Sequence, residues 1–161
     1  MKHLALIAGL MATPAFAQEA PQGVTLLKGD VIAFEACFLQ MMIDNPGNPM
    51  LEIIGPAICG ERNIPMGQTC DALGYMLFES RAGCNADDLA YWQAQVEERA
   101  NAAIADGRNG LGMMHDSGLE RCDEVEAAGE DPIKCRIEIN WSSSMQFIAA
   151  DLVASLAEVD Q

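Results

Sequence analysis

Hydrophobic residues recur every three or four positions along most of this chain of 161 residues, as they do on the buried face of an α-helix. The stretches that predict helices are residues 30–42, 50–58, 68–80, 86–106 and 111–127, with a last helix that begins near residue 132. No stretch alternates with a period of two between hairpin turns, as strands would. The pattern therefore predicts an all-α fold, a single small domain of five or six helices over residues 30–161.

Polar residues mark where several of these helices begin. Asp30 precedes the first stretch and Asn85 precedes the fourth, so each is expected to cap a helix with its side chain. Asp87 and Asp88 would then lie in the first turn of their helix, where carboxylates stabilise the helix dipole. Pro132 suits the start of the last helix, because its missing N–H has no partner there in any case.

Glycine and proline predict where the helices end. Residues 45–49 and 106–110 are rich in turn-forming types, residues 60–65 are expected to form a turn, and Gly118 is expected to interrupt its helix. Trp92 and Trp141 fall on apolar stripes and are assigned to the core. The stripe of the last helix should be buried along its whole length, and its members are Ile133, Ile137, Trp141, Met145, Ile148, Leu152 and Leu156.

The first 17 residues have the layout of a Sec signal peptide. Lys2 and His3 precede a short apolar run, and Ala15 and Ala17 frame a cleavage site of small residues. The apolar run is far shorter than the ~20 residues that span a bilayer. We therefore expect cleavage after Ala17, a flexible lead-in over residues 18–29, and a mature form in the periplasm or outside the cell that is not inserted in a membrane.

Six cysteines follow the expected cleavage site, and an even number of cysteines in an exported chain predicts three disulfide bonds. No C-x-x-C motif occurs, which argues against redox catalysis and the usual zinc knuckle. Six cysteines allow 15 pairings, and the sequence does not choose among them. The working assignment pairs Cys59 with Cys70, Cys122 with Cys135, and Cys37 with Cys84.

Acidic residues far outnumber basic ones, because 24 Asp and Glu stand against 9 Lys and Arg, and the net charge is −15. A nucleic acid would be repelled by this charge, and so would an anionic membrane surface. Half of the residues are hydrophobic, which separates the chain from disordered acidic tails. The charge therefore leaves basic proteins as the partners that electrostatics favours.

The one histidine of the expected mature chain, His115, has neighbours that suggest either a metal site or a hydrolytic site. Met113 and Met114 beside it are soft ligands, so copper handling in the periplasm is the alternative function. Asp116 and Ser117 follow His115, but consecutive helical residues point about 100° apart and do not form a catalytic triad. The acidic residues are taken as solvated faces, and we predict neither an enzyme nor a cofactor.

Residues 84–92 (CNADDLAYW) place a Cys, two acids and a Trp on one predicted helix, and this element resembles the LprI-type family of lysozyme inhibitors. The segments before Cys59 and Cys70 and the later cysteines resemble the layout of that family as well. After the Trp the two differ, since the family has Asp, Leu and Asn where this chain has Gln93, Val96 and Glu97.

The resemblance implies an all-helical binding module that contacts lysozyme, and many lysozymes are basic proteins that an acidic partner would attract. We therefore expect a periplasmic or secreted acidic binding protein similar to lysozyme inhibitors. The candidate contact residues are acids on two predicted helices, Asp87, Asp88, Glu97, Glu98, Asp123 and Glu124.

Overall fold

The computed structural model describes residues 25–68, 82–105 and 110–159, and its regular structure over these ranges is entirely helical, as the apolar stripes predict. The five helices of the described ranges are α1 (Val31–Asp44), α2 (Met50–Asn63), α3 (Ala82–Ala105), α4 (Gly110–Ala127) and α5 (Ile133–Val159). None of them combines the length and the apolar character that crossing a membrane requires. The expected signal peptide and residues 69–80 of the third periodic stretch lie outside the described residues.

The longest helix, α5, is the centre of the fold. Helices α2, α3 and α4 pack along it, and α1 packs mainly against α2 and touches α5. Large buried side chains come from the predicted stripes of three helices, and they are Phe34 and Phe38 of α1, Trp92 of α3, and Trp141 and Met145 of α5. These side chains form one contiguous cluster, and Val96 and Ala103 of α3 form a second, smaller cluster with Phe147 of α5.

The apolar stripe of α5 is buried over only part of its length. Ile137, Met145 and Ile148 are buried, whereas Leu152 is half-buried and Leu156 is exposed. The expectation that the whole stripe is buried is therefore wrong at its C-terminal end. At 44% exposure, Leu156 is left uncovered by the other described helices.

The two tryptophans fix the path of the chain after α2. Trp92 donates a hydrogen bond from Nε1 to the backbone oxygen of Met66, at 2.6 Å. Trp141 donates from Nε1 to the backbone oxygen of Ile64, at 3.0 Å. Buried indole N–H groups need such acceptors, and both rings lie in the core, as predicted. The bonds hold residues 64–66 against α3 and α5.

Gln68 is 1% exposed and holds the residues that precede α1. Its Oε1 accepts hydrogen bonds from the backbone N–H groups of Leu27 and Lys28, at 2.9 and 2.8 Å. Its Nε2 donates to the backbone oxygens of Lys28 and Pro65, at 2.9 and 2.8 Å. Within the expected lead-in, Leu27 and Lys28 are therefore held by a buried amide that uses all of its hydrogen-bonding capacity.

A disulfide bond joins Cys37 of α1 to Cys59 of α2. The expected pairs of Cys37 with Cys84 and of Cys59 with Cys70 are therefore wrong. Helices α1 and α2 pack against each other and bring the Cα atoms of Cys37 and Cys59 to 5.8 Å, an ordinary separation for a disulfide. Cys70 and the side chain of Cys84 lie outside the described part of the chain, so the expectation of three disulfide bonds in total stays a prediction.

A second disulfide bond joins Cys122 of α4 to Cys135 of α5, the pair expected from the sequence. Next to it, Asp131 and Pro132 start α5. Asp131 accepts a hydrogen bond through Oδ1 from the backbone N–H of Ile133, at 3.0 Å. The disulfide bond and the hydrogen bond from Ile133 to Asp131 together fix the start of the central helix.

The predicted cap Asp30 is confirmed, because its Oδ1 accepts a hydrogen bond from the backbone N–H of Ala33, at 3.0 Å. Two helix boundaries, however, differ from the predicted ones. Helix α2 continues to Asn63, so the turn predicted for residues 60–65 is wrong over its first four residues. Helix α3 begins at Ala82, so Asn85 is a buried residue within the helix and not its cap.

Two glycines that look like helix breakers are points of close helix contact. A Cβ atom on Gly60 would lie 2.7 Å from Cγ of Met145 and 2.9 Å from Cζ2 of Trp141. A Cβ atom on Gly118 would lie 2.8 Å from Cγ2 of Ile139, and α4 runs through Gly118 without the expected interruption. Because glycine has no side chain, α2 approaches α5 closely at Gly60 and α4 does so at Gly118.

Candidate functional site

An open groove of about 620 Å³ lies between α2, α4 and the C-terminal half of α5. We call it the α2–α4–α5 groove. Phe38 of α1 is almost fully buried and lies at its base, and the first turns of α4 contribute Leu111 and Met114. Its volume falls within the ~300–1,000 Å³ of typical ligand sites. It is a candidate binding site for an apolar group.

The walls and rims of the groove are almost entirely apolar. The wall formed by α5 consists mainly of alanines, and these are Ala149, Ala150, Ala154 and Ala157. Ile53, Met114 and Val153 stand at the rims and are 48, 47 and 44% exposed. Contiguous apolar surface of this kind on a helical domain marks a place of binding.

The charge at the groove is negative. Glu52 is the one charged residue among those that line it in the described part of the chain, and its side chain is exposed. The net charge of the whole chain is −15. An anionic ligand is therefore disfavoured, whereas an apolar group flanked by positive charge is attracted.

The predicted contact residues of α3 divide between surface and core. Asp87, Glu97 and Glu98 are exposed. Asp88 is 0% exposed, so its predicted contact with a partner is wrong. Asp88 precedes the buried Trp92 by four residues, which places both on the same side of the helix, towards the core. Since α3 begins at Ala82, Asp87 and Asp88 also lie in its second turn and not in its first.

The predicted contact residues of α4, Asp123 and Glu124, are both exposed. Asp123 accepts a hydrogen bond through Oδ1 from Nη2 of Arg136, at 2.8 Å, and Glu126 accepts one through Oε2 from the same nitrogen, at 3.0 Å. Part of this acidic cluster is therefore neutralised by Arg136. None of the six predicted acids lines the groove.

The residues predicted for copper point in different directions. Met113 is 73% exposed, Met114 borders the groove, and His115 is turned towards α5 and half-buried. Consecutive helical residues point about 100° apart, which separates the three donor atoms. Among the described residues no group of three or more His, Cys, Asp or Glu could hold a metal ion.

His115 is part of a hydrogen-bonded link between α4 and α5. Its Nε2 lies 3.1 Å from Oδ1 of Asn140, and Nδ2 of Asn140 donates to the backbone oxygen of Arg136, at 2.7 Å. The amide orientation set by Arg136 makes Oδ1 an acceptor, so Nε2 of His115 carries the proton. Nε2 is then not available to a metal, and Nδ1 lies 3.4 Å from Oδ1 of Asp116.

Tyr91 connects α3 to the segment before α1. Its hydroxyl donates a hydrogen bond to the backbone oxygen of Thr25, at 2.9 Å. Burial raises the pKa of Tyr91 to about 12, because the phenolate would lose hydration there. Its ring also meets that of Trp92 edge-on, with the centroids 5.0 Å apart. The side chain is an anchor of the fold.

The groove was not found from the sequence, because Glu52, Ile53 and the alanines of α5 belong to stretches that look like ordinary amphipathic helices. One signal was present. Residues 149–157 include four alanines beside the large residues of the α5 stripe, so a neighbouring helix packed against these alanines would leave space.

No family model matches the chain, no curated protein matches it, and no solved structure matches it. Its function must therefore be inferred from its own residues.

Proposed function

We propose that this chain is a binding protein, not an enzyme, that acts in the periplasm or outside the cell and has a basic protein as its partner. Lysozyme is the first candidate, on the resemblance of residues 84–92 to the LprI-type family. Disulfide bonds support an oxidising compartment, since they persist there and are rare in the cytosol.

The observation that carries the proposal is the α2–α4–α5 groove, an open apolar surface in a strongly acidic protein. Apolar contact in such a groove supplies affinity that survives salt, because the gain comes from surface removed from water. The charge of the chain adds attraction over a longer range and raises the rate of association with a basic protein. Exposed carboxylates such as Asp87, Glu97 and Glu124 contribute to that attraction.

The test is a cell-wall lysis assay with lysozymes of several types and the oxidised, secreted protein, at low salt and at about 0.15 M ionic strength. The proposal predicts inhibition at submicromolar concentration that persists at the higher salt. Inhibition that disappears with salt would show charge attraction only and would contradict a shaped interface. A lack of inhibition at both salts would remove lysozyme as the partner.

A matched pair of variants connects the assay to the groove. Ala154→Phe places a ring in the groove, and Ala90→Phe places the same ring on an exposed position of α3 that does not line it. Inhibition should weaken with Ala154→Phe and stay unchanged with Ala90→Phe. Equal effects of the two variants would mean that the basic partner binds elsewhere.

A further inference from the structure

We infer that the α2–α4–α5 groove binds one amphipathic helix of the partner, about three turns long, with Lys or Arg beside its apolar face. The inference rests on the proposed function, because it specifies which part of a basic partner is bound.

The dimensions of the groove fit a helix. Residues of α5 that line it run from Gln146 to Ala157, a distance of about 17 Å at the helical rise of 1.5 Å per residue. A second helix laid along this wall covers it with about three turns. Ala150, Ala154 and Ala157 are spaced four and three residues apart on one side of α5, and such small side chains permit close packing of two helices.

Because few polar groups line the groove, a helix suits it better than an extended peptide does. Glu52 and Gln146 supply the only polar side chains among the described lining residues. An extended peptide would leave its backbone N–H and C=O groups without partners on such a surface, which costs about 1–3 kcal/mol for each buried group. A helix satisfies its own backbone and presents apolar side chains at positions i, i+3, i+4 and i+7.

The open shape of the groove argues against a small apolar molecule. Typical small-molecule sites bury about 70–90% of the ligand, whereas this groove is partly open to solvent. A helix of a larger protein keeps its polar face towards the solvent. Because Glu52 borders the groove and the chain carries a net charge of −15, that polar face should be basic.

The probe is a labelled synthetic peptide of about 15 residues, long enough to form a helix on binding, with Leu on one helical face and Lys elsewhere. Two control peptides accompany it. One has the same composition with the Leu residues scattered around the helix, and the other has Glu in place of Lys. Fluorescence anisotropy with the oxidised, secreted protein at about 0.15 M ionic strength measures the dissociation constants.

The inference predicts that the basic amphipathic peptide binds at least about tenfold more tightly than either control. Ala154→Phe should weaken its binding by at least about tenfold, and Ala90→Phe should leave it unchanged. Glu52→Lys should weaken binding more than Glu61→Lys, which reverses a charge on the same helix outside the groove lining. All four positions are exposed, so circular dichroism should show that each variant folds.

Four results would overturn the inference. Equal binding of the scattered peptide would show attraction by charge alone. Equal binding to the variants Ala154→Phe and Ala90→Phe would place the peptide outside the groove. A dimer of the free protein that dissociates with Ala154→Phe would show that a second copy covers the groove. Lysozyme inhibition that persists without peptide binding would leave the proposed function standing and remove only the helix.

Discussion

Substitution of Gly60 by Ala should destabilise the protein, although alanine is the better helix former. In the interior of α2 the change gains about 1 kcal/mol of helix propensity. The new methyl group, however, would lie 2.7 Å from Cγ of Met145 and 2.9 Å from the ring of Trp141, and both of these side chains are buried. Over-packing of this kind typically costs about 1–3 kcal/mol. The net loss of unfolding free energy should be about 1 kcal/mol.

Gly112→Ala is the matched control, because a Cβ atom at Gly112 in α4 meets no atom within 4 Å. This variant should keep a propensity gain of about 0.5–1 kcal/mol. The two variants should therefore differ by roughly the over-packing cost of Gly60→Ala, about 1–3 kcal/mol, in equilibrium urea unfolding of the oxidised protein. If Gly60→Ala proves as stable as Gly112→Ala, close packing of α2 on α5 at this point is refuted.

Four further predictions concern other parts of the fold. Gln68→Met should speed hydrogen exchange of the two N–H groups bound by its Oε1, and Gln93→Met, on the exposed side of α3, should not. Between pH 10 and 12 the unfolding free energy should fall, because the native state keeps the Tyr91 proton that the unfolded state releases; Tyr91→Phe should remove this fall in urea titrations. Replacing both Cys122 and Cys135 by Ser should lower the unfolding free energy by about 3 kcal/mol, measured in urea. Replacing the two exposed methionines at the start of α4 by Leu should leave a Cu(I) titration unchanged, and a lost binding step would instead support copper handling.

The core could be predicted because its signal lies within single helices. Phe34 and Phe38 on α1 and the two tryptophans on α3 and α5 recur at helical spacing, and an apolar face must be buried somewhere. The Asp30 cap is equally local, since the bond joins residues three positions apart. Burial of Asp88 could also have been predicted from its spacing to Trp92, but its residue type suggested the surface.

Most features that depend on two helices could not be predicted from one sequence, and the exception is the pair of Cys122 with Cys135, whose cysteines are close along the chain. The pairing of Cys37 with Cys59 follows from the packing of α1 on α2, and proximity along the chain favoured another partner. Gly60 and Gly118 have the residue type of a helix breaker, and only the neighbouring α5 shows that they are contact points. The groove forms where α2 and α4 no longer cover α5. The hydrophobic periodicity of a single helix does not show how far its neighbours cover it.

Both disulfide bonds of the described residues join cysteines that are neighbours in the order of the chain, Cys37 with Cys59 and Cys122 with Cys135. In a chain that is exported from its N-terminus, each native partner is thus the next thiol to emerge. An oxidase that couples thiols in their order of arrival would form both bonds directly, without later exchange by an isomerase. Maturation of this protein should therefore depend on an oxidant and be insensitive to loss of disulfide isomerisation at these two bonds.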